Sequence, residues 1–170
     1  ARPVVLAARN VHSSFLRACA MLDAEVSWLY PGEGPHPSVC SCPVAPAALE
    51  AALDAMAEPP FAVCVTSPDY LGFQQDLAAL SACCRRRGVP LLVDNAHGAY
   101  LKFLPESAHP MDLGAALCCD SAHKTLPVLT GGAYLHVAAD APASFGEGAR
   151  SALSLFGSTL PIILGILGAI

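Results

Sequence analysis

The sequence predicts an α/β fold: a three-layer domain with helices on both faces of a mostly parallel central sheet. Three observations point there. Short apolar runs alternate with helix-like segments along most of the 170 residues. The runs are apolar nearly throughout, as expected of strands buried on both faces. Most consecutive strand candidates are separated by one helix candidate, the pattern of parallel strands joined by right-handed crossovers.

The strands are expected at 3–7, 25–30, 61–65, 89–94, 114–119 and 132–137. Residues 13–22, 46–57, 73–87 and 144–155 read as helices. Pro46 suits the first turn of the second helix, and Pro59-Pro60 close the segment after it. The third helix follows Gly72 and stops at Gly88, a natural C-terminal cap. Segment 31–46, rich in proline and glycine, reads as a loop inside one domain, and no internal repeat interrupts the chain.

Composition narrows the classes of function. The chain is 54% hydrophobic and only 14% charged, so one large core is expected and part of the surface should be covered in the native assembly. Net charge is −5, and Arg85-Arg86-Arg87 is the one basic cluster; a helix C-terminus explains it better than nucleic acid does. Segment 160–170 is apolar but far shorter than the ~20 residues that span a bilayer. The eight cysteines form no C-x2-C pair, and several lie in apolar runs. We therefore expect reduced thiols, a cytoplasmic setting and no metal site. A chain that begins and ends inside apolar elements reads as a piece of a longer protein.

In open parallel sheets the ligand crevice lies beyond the carboxyl ends of the strands. Asp94 closes one strand, Thr66-Ser67 follow another, Ser121 follows a third, and Arg9-Asn10-Val11-His12 follow the first. Lys124, one of only two lysines, lies thirty residues beyond Asp94. An amine and a carboxylate so placed suit a chemistry in which the amine condenses with an aldehyde cofactor and the carboxylate holds that cofactor's ring nitrogen protonated. Each residue alone has a plainer reading. Asp94 would be a helix N-cap, Lys124 a solvated side chain, His12 a helix N-terminal residue, and Ser121 and His123 loop polars.

Taken in order, the motifs resemble a family. VDNAHGAY (93–100) and SAHKTLPVLTGGAYLHV (121–137), with ARNVHSSF (8–15) and TSPDYLGFQQDL (66–77), are similar to the ornithine/lysine/arginine decarboxylase class of fold-type I pyridoxal-phosphate enzymes. The resemblance runs from about residue 3 to 159 and implies an incomplete large domain of the pyridoxal-phosphate-dependent transferase-like fold. It implies a core at 1–159 and a divergent apolar tail at 160–170. The family's upstream phosphate loop and C-terminal small domain are not within these residues, so the segment alone is expected to hold cofactor weakly.

By the same resemblance, Lys124 forms the Schiff base with pyridoxal 5'-phosphate and shuttles protons, and Asp94 pairs with the pyridinium nitrogen. His12 stacks on the ring, with Ala96 against its other face. Ser121 and His123 bind the phosphate. Thr66 or Ser67 lies near the phenolic oxygen, and His97 supports the pocket. Gly157-Ser158-Thr159 resembles a segment that reaches a neighbouring subunit's phosphate, which implies a homodimer or higher homo-oligomer. The implied reaction is decarboxylation of a small basic amino acid. An aminotransferase or lyase of the same fold type, or an inactive truncated scaffold, are the rival readings. Of the remaining polar residues, His36 and His109 read as loop surface, His136 as satisfied core, and Lys102 as surface.

Overall fold

The computed structural model describes residues 2–32 and 40–156. His36, Gly157-Ser158-Thr159 and the tail at 160–170 lie outside the described residues. Six strands form one sheet: β1 (Val4–Ala8), β2 (Glu25–Leu29), β3 (Ala62–Thr66), β4 (Leu91–Asp94), β5 (Leu117–Asp120) and β6 (Tyr134–Val137), in the order β2-β1-β3-β4-β5-β6. All neighbours are parallel except β5 and β6, which pair antiparallel. The helices are α1 (Ser13–Met21), α2 (Pro46–Asp54), α3 (Leu77–Arg86), α4 (Ala122–Thr125) and α5 (Ala143–Phe156). The expected α/β architecture is present.

The strand order reverses after β2, and the chain crosses back to place β3 on the other side of β1. With right-handed crossovers, such a reversal puts the flanking helices on opposite faces. The core divides accordingly. Leu49 and Leu53 of α2 and Leu77, Leu80, Cys83 and Cys84 of α3 pack with Leu6, Val63, Val65, Leu91 and Val93. Phe15 of α1 packs on the other face with Val5, Ala7, Cys64, Trp28 and Leu92. Each fully buried leucine contributes roughly 1.5–3 kcal/mol relative to exposure, so the α2–α3 face carries most of the hydrophobic stabilisation.

Several boundaries move for identifiable reasons. The third helix begins at Leu77, not at 73, because the preceding residues are held in a turn. Asp69 Oδ1 accepts from the backbone N–H of Leu71 and of Phe73, and Ser67 Oγ accepts from that of Gln75. Asp76 then caps the helix by accepting from Ala79 N–H. Its far end is a Schellman motif: Gly88, at φ 65°, donates to Arg85 carbonyl, and Val89 donates to Cys84 carbonyl. Arg86 pairs with Glu50 and Arg87 with Asp54, so the arginine cluster ties α3 to α2. β5 starts at Leu117, not 114, because residues before it form a turn in which Ala115 N–H donates to Pro110 carbonyl and Gly114 adopts φ 92°. A 3-10 turn at Ala99–Phe103 and the short α4 were not expected from the sequence. Among the described residues no helix is long and apolar enough to cross a membrane.

Candidate functional site

Parallel register aligns Thr66 of β3 with Asp94 of β4, and Asp94 with Cys119 of β5. Residues paired across a pleated sheet share a face. Alternation along the strands places these three with Cys64 and Leu92, on the side covered by α1. The C-terminal ends of β1, β3, β4 and β5 therefore form a single rim.

Asp94 is half-buried, and its Oδ1 accepts from Ala96 N–H at 3.1 Å, which orients the carboxylate and leaves its other oxygen for a second partner. Thr66 Oγ1 is buried without a hydrogen-bond partner. A buried hydroxyl without a partner costs roughly 1–3 kcal/mol, so this position suits a polar ligand atom. Ser67 differs: it is 2% exposed and its oxygen already holds the Gln75 N–H at 3.1 Å. Of the two candidates, Thr66 thus has the available group.

Lys124 lies in α4, and its Nζ donates to His97 Nε2 at 3.3 Å. The accepting nitrogen requires a neutral His97 with its proton on Nδ1. Burial, followed by the nearby Lys124 charge, pushes the His97 pKa down and favours that neutral ring. Tyr70 packs edge-on to His97, with ring centroids 5.3 Å apart. Ser121 precedes α4 and accepts from Lys124 N–H through its carbonyl at 2.9 Å. His123 is exposed, and its Nδ1 donates to Gly132 carbonyl at 2.9 Å. Its other nitrogen can donate to an anion only when the ring is an imidazolium.

His12 is the N-cap of α1: its Nδ1 accepts from Ser14 N–H at 3.2 Å. It is exposed, on the segment that follows the C-terminal end of β1. Lys102 is committed elsewhere, in an ion pair with Asp112 at 2.6 Å. The structure thus brings Lys124 to His97, aligns Asp94 with Thr66, and places His12 and Ser121 at the N-caps of α1 and α4 and His123 within α4. These residues fit pyridoxal phosphate in kind: an amine, a strand-end carboxylate, a buried unpartnered hydroxyl, and donors at the starts of α1 and α4.

One expectation is corrected. His109 is not loop surface; it is 3% exposed, and its Nε2 donates to Asp120 Oδ2 at 3.0 Å. His136, half-buried, donates to the same oxygen at 2.9 Å. Asn95, fully buried, donates from Nδ2 to Asp120 Oδ1 at 2.6 Å. Sequence reasoning passed over Asn95 and Asp120. The available signal was an aspartate ending the apolar run Leu117-Cys118-Cys119, because a buried carboxylate must gather donors. Six cysteines, Cys19, Cys42, Cys64, Cys83, Cys84 and Cys118, are buried free thiols.

The family model for the Orn/Lys/Arg decarboxylase major domain matches residues 2–165. An uncharacterized protein, YaaO, of Bacillus subtilis (strain 168) is 35% identical over 137 residues, covering 78% of this chain and 28% of that protein. An arginine decarboxylase of Halalkalibacterium halodurans is 34% identical over 136 residues, covering 78% of this chain and 27% of the relative. The chain therefore spans less than a third of the length of these relatives. Among solved structures, Oryza sativa TDC with PLP superposes with a TM-score of 0.63 at 23% identity, covering 81% of this chain and 30% of that one. A chain of a SepCysS–SepCysE N-terminal domain complex gives a TM-score of 0.69 at 14% identity, covering 86% of this chain and 37% of the other. Both likenesses are of fold.

Proposed function

This chain belongs to the Orn/Lys/Arg decarboxylase family, matching its major domain, and we propose that it is the pyridoxal-phosphate-binding core of an enzyme that decarboxylates a basic amino acid: ornithine, lysine or arginine. Relatives named arginine decarboxylase support a basic substrate. The observation that carries the reading is the Lys124–His97 contact on the rim that also bears Asp94 and the unpartnered Thr66 hydroxyl.

Bound pyridoxal phosphate supplies an aldehyde that condenses with amines and an electron-poor ring that withdraws charge from the substrate's α carbon. Asp94 would accept the hydrogen bond of the ring nitrogen and keep it protonated by its own charge. Ala96 N–H fixes the orientation of that carboxylate. Thr66 would donate from Oγ1 to a polar atom of the cofactor, His12 and Ala96 would pack against it, and Ser121, with His123 as an imidazolium, would donate to its phosphate.

Lys124 must lose a proton before its amine attacks. His97, neutral and accepting at Nε2, is the group positioned to take it. The Lys124 amine would then be the group that carries protons to and from the substrate. Tyr70, Leu71, Phe73, Tyr100, Phe103 and Leu104 are exposed on the loops after β3 and β4, apolar surface that supports assembly as a homodimer or larger homo-oligomer.

The test is borohydride reduction of the full-length protein with added pyridoxal phosphate, followed by peptide mapping. The label is expected on Lys124 and lost in Lys124→Ala, while Asp94→Ala keeps a weaker label and loses turnover. A label on Lys102, or none, sinks the site assignment. Amine plus carbon dioxide as products supports decarboxylation; a keto acid rejects it.

A further inference from the structure

Four donors converge on one buried carboxylate beside the candidate site, and none of them was assigned a role above. Asp120 is 4% exposed. Its Oδ2 accepts from His109 Nε2 at 3.0 Å and from His136 Nε2 at 2.9 Å. Its Oδ1 accepts from Asn95 Nδ2 at 2.6 Å and from the Cys118 thiol at 3.3 Å. A carboxylate has about four lone-pair directions, so this one is saturated.

The donors come from three parts of the chain besides β5 itself. Asn95 directly follows Asp94, His109 lies in the loop before β5, and His136 sits on the antiparallel strand β6. Asp120 is the last residue of β5 and is bonded covalently to Ser121, the start of the segment that carries His123 and Lys124. One side chain thus links the Asp94 segment, the Lys124 segment and β6. A second link runs in parallel, where Asn95 N–H donates to Cys119 carbonyl at 2.9 Å.

We propose that Asp120, with His109, His136 and Asn95, is a latch of positioning residues that fixes the Ser121–Lys124 segment relative to Asp94. This rests on the reading of Lys124 and Asp94 given above. Three histidine and aspartate ligand atoms lie within 4.8 Å of one another here, a grouping that could also hold a cation. The hydrogen-bond inventory argues otherwise. Met111 N–H donates to His109 Nδ1 at 3.3 Å, so that nitrogen carries the lone pair and the proton sits on Nε2. The nitrogen that faces Asp120 is therefore occupied by hydrogen. Burial alone would raise the Asp120 pKa, but the His109, His136 and Asn95 hydrogen bonds hold it well below the usual carboxylate range.

Asp120→Asn separates hydrogen bonding from charge. The new amide oxygen can keep both histidines, and its NH2 can bond the Asn95 amide once that group turns over. Turning is feasible because Asn95 Oδ1 has no partner to lose. Asp120→Ala has no such recourse. In the full-length protein, Asp120→Ala should raise the half-saturating pyridoxal phosphate concentration for Lys124 labelling about tenfold, and Asp120→Asn no more than about threefold. A role confined to global stability would lower the melting temperature and leave labelling of the folded fraction unchanged.

Amide hydrogen exchange supplies a readout that needs no cofactor. The 121–126 peptide should exchange about tenfold faster in Asp120→Ala, while peptides of α2 stay within about twofold. Should Asp120→Ala fail to fold, His136→Ala takes its place, with His136→Gln as the conservative rescue. Unchanged exchange at 121–126 in a folded variant overturns the latch, as does one equivalent of divalent metal in the wild type that is lost with Asp120. If the wild type takes no label on Lys124 yet exchange responds as expected, the cofactor assignment fails and the mechanical link stands.

Discussion

Gly98→Ala should be among the most damaging single-methyl additions in this chain. Gly98 has φ −119°, so alanine meets no backbone strain there. The obstacle is space: an added Cβ would lie 2.0 Å from Asn95 Oδ1, 2.6 Å from Pro68 Cδ and 2.9 Å from Asn95 Cγ. The proline ring is rigid, and Asn95 is fully buried and tied to Asp120. Overpacking of this kind costs about 1–3 kcal/mol. Pushing Asn95 off a charged acceptor costs about 1.5–3 kcal/mol more. Together the loss is about 2.5–6 kcal/mol, which for a domain of this size lowers the melting temperature by roughly 5–24 °C. Differential scanning calorimetry measures it. Gly72→Ala is the control, since its Cβ meets nothing within 4 Å and only its φ of 87° is penalised, at roughly 1–2 kcal/mol. The double variant with Asn95→Ala should lose less than the sum of the two single losses, because the clash and the broken bond share one side chain. A Gly98→Ala melting temperature within about 2 °C of wild type would refute the packing argument.

Two further outcomes follow from the same geometry. The folded His97 has a pKa below its ordinary 6.5, so the unfolded chain takes up that proton first as pH falls. The stabilising difference is complete above 6.5 and is lost as pH drops through the folded value; a His97→Asn variant should show a smaller decline in melting temperature between pH 8 and pH 5.5 than wild type. An equal decline in both removes His97 from the account. Burial also pushes the Cys84 thiol up to about 12 and raises those of Cys64 and Cys118. Maleimide at pH 8 should leave all three unmodified in the native state and modify them in guanidinium, as peptide mapping would show.

Most of the scaffold was legible because buried strands and punctuated helices leave local marks. Val4–Ala8, Ala62–Thr66 and Leu91–Asp94 are apolar runs that end near polar residues, and Pro46 and Gly88 mark helix ends by their backbone chemistry. The antiparallel direction of β6 left no such mark, because apolar periodicity is the same for either pairing. The start of α3 was hidden because Asp69 and Ser67 redirect backbone donors into a turn whose residues otherwise suit a helix. At the site, Asp94, Thr66 and Ser121 were singled out from strand ends, and Lys124 from its spacing to Asp94. His109 was misread because its partner Asp120 is 11 residues away in sequence and the contact exists only after β4, β5 and β6 assemble.

The reversal of strand order also has a consequence for how the sheet comes together. The pairing of Val63 with Leu91 closes a loop through one helix, whereas Val5 meets Ala62 only after a whole helix-strand-helix excursion. That loop is roughly twice as long, and each doubling adds about 0.6 kcal/mol of closure entropy. The β1–β3 junction is thus the most expensive closure in the sheet, a seam between an amino-terminal unit and the rest. It runs between the strand leading to His12 and the strand ending in Thr66, so the candidate pocket straddles the join that is entropically hardest to make.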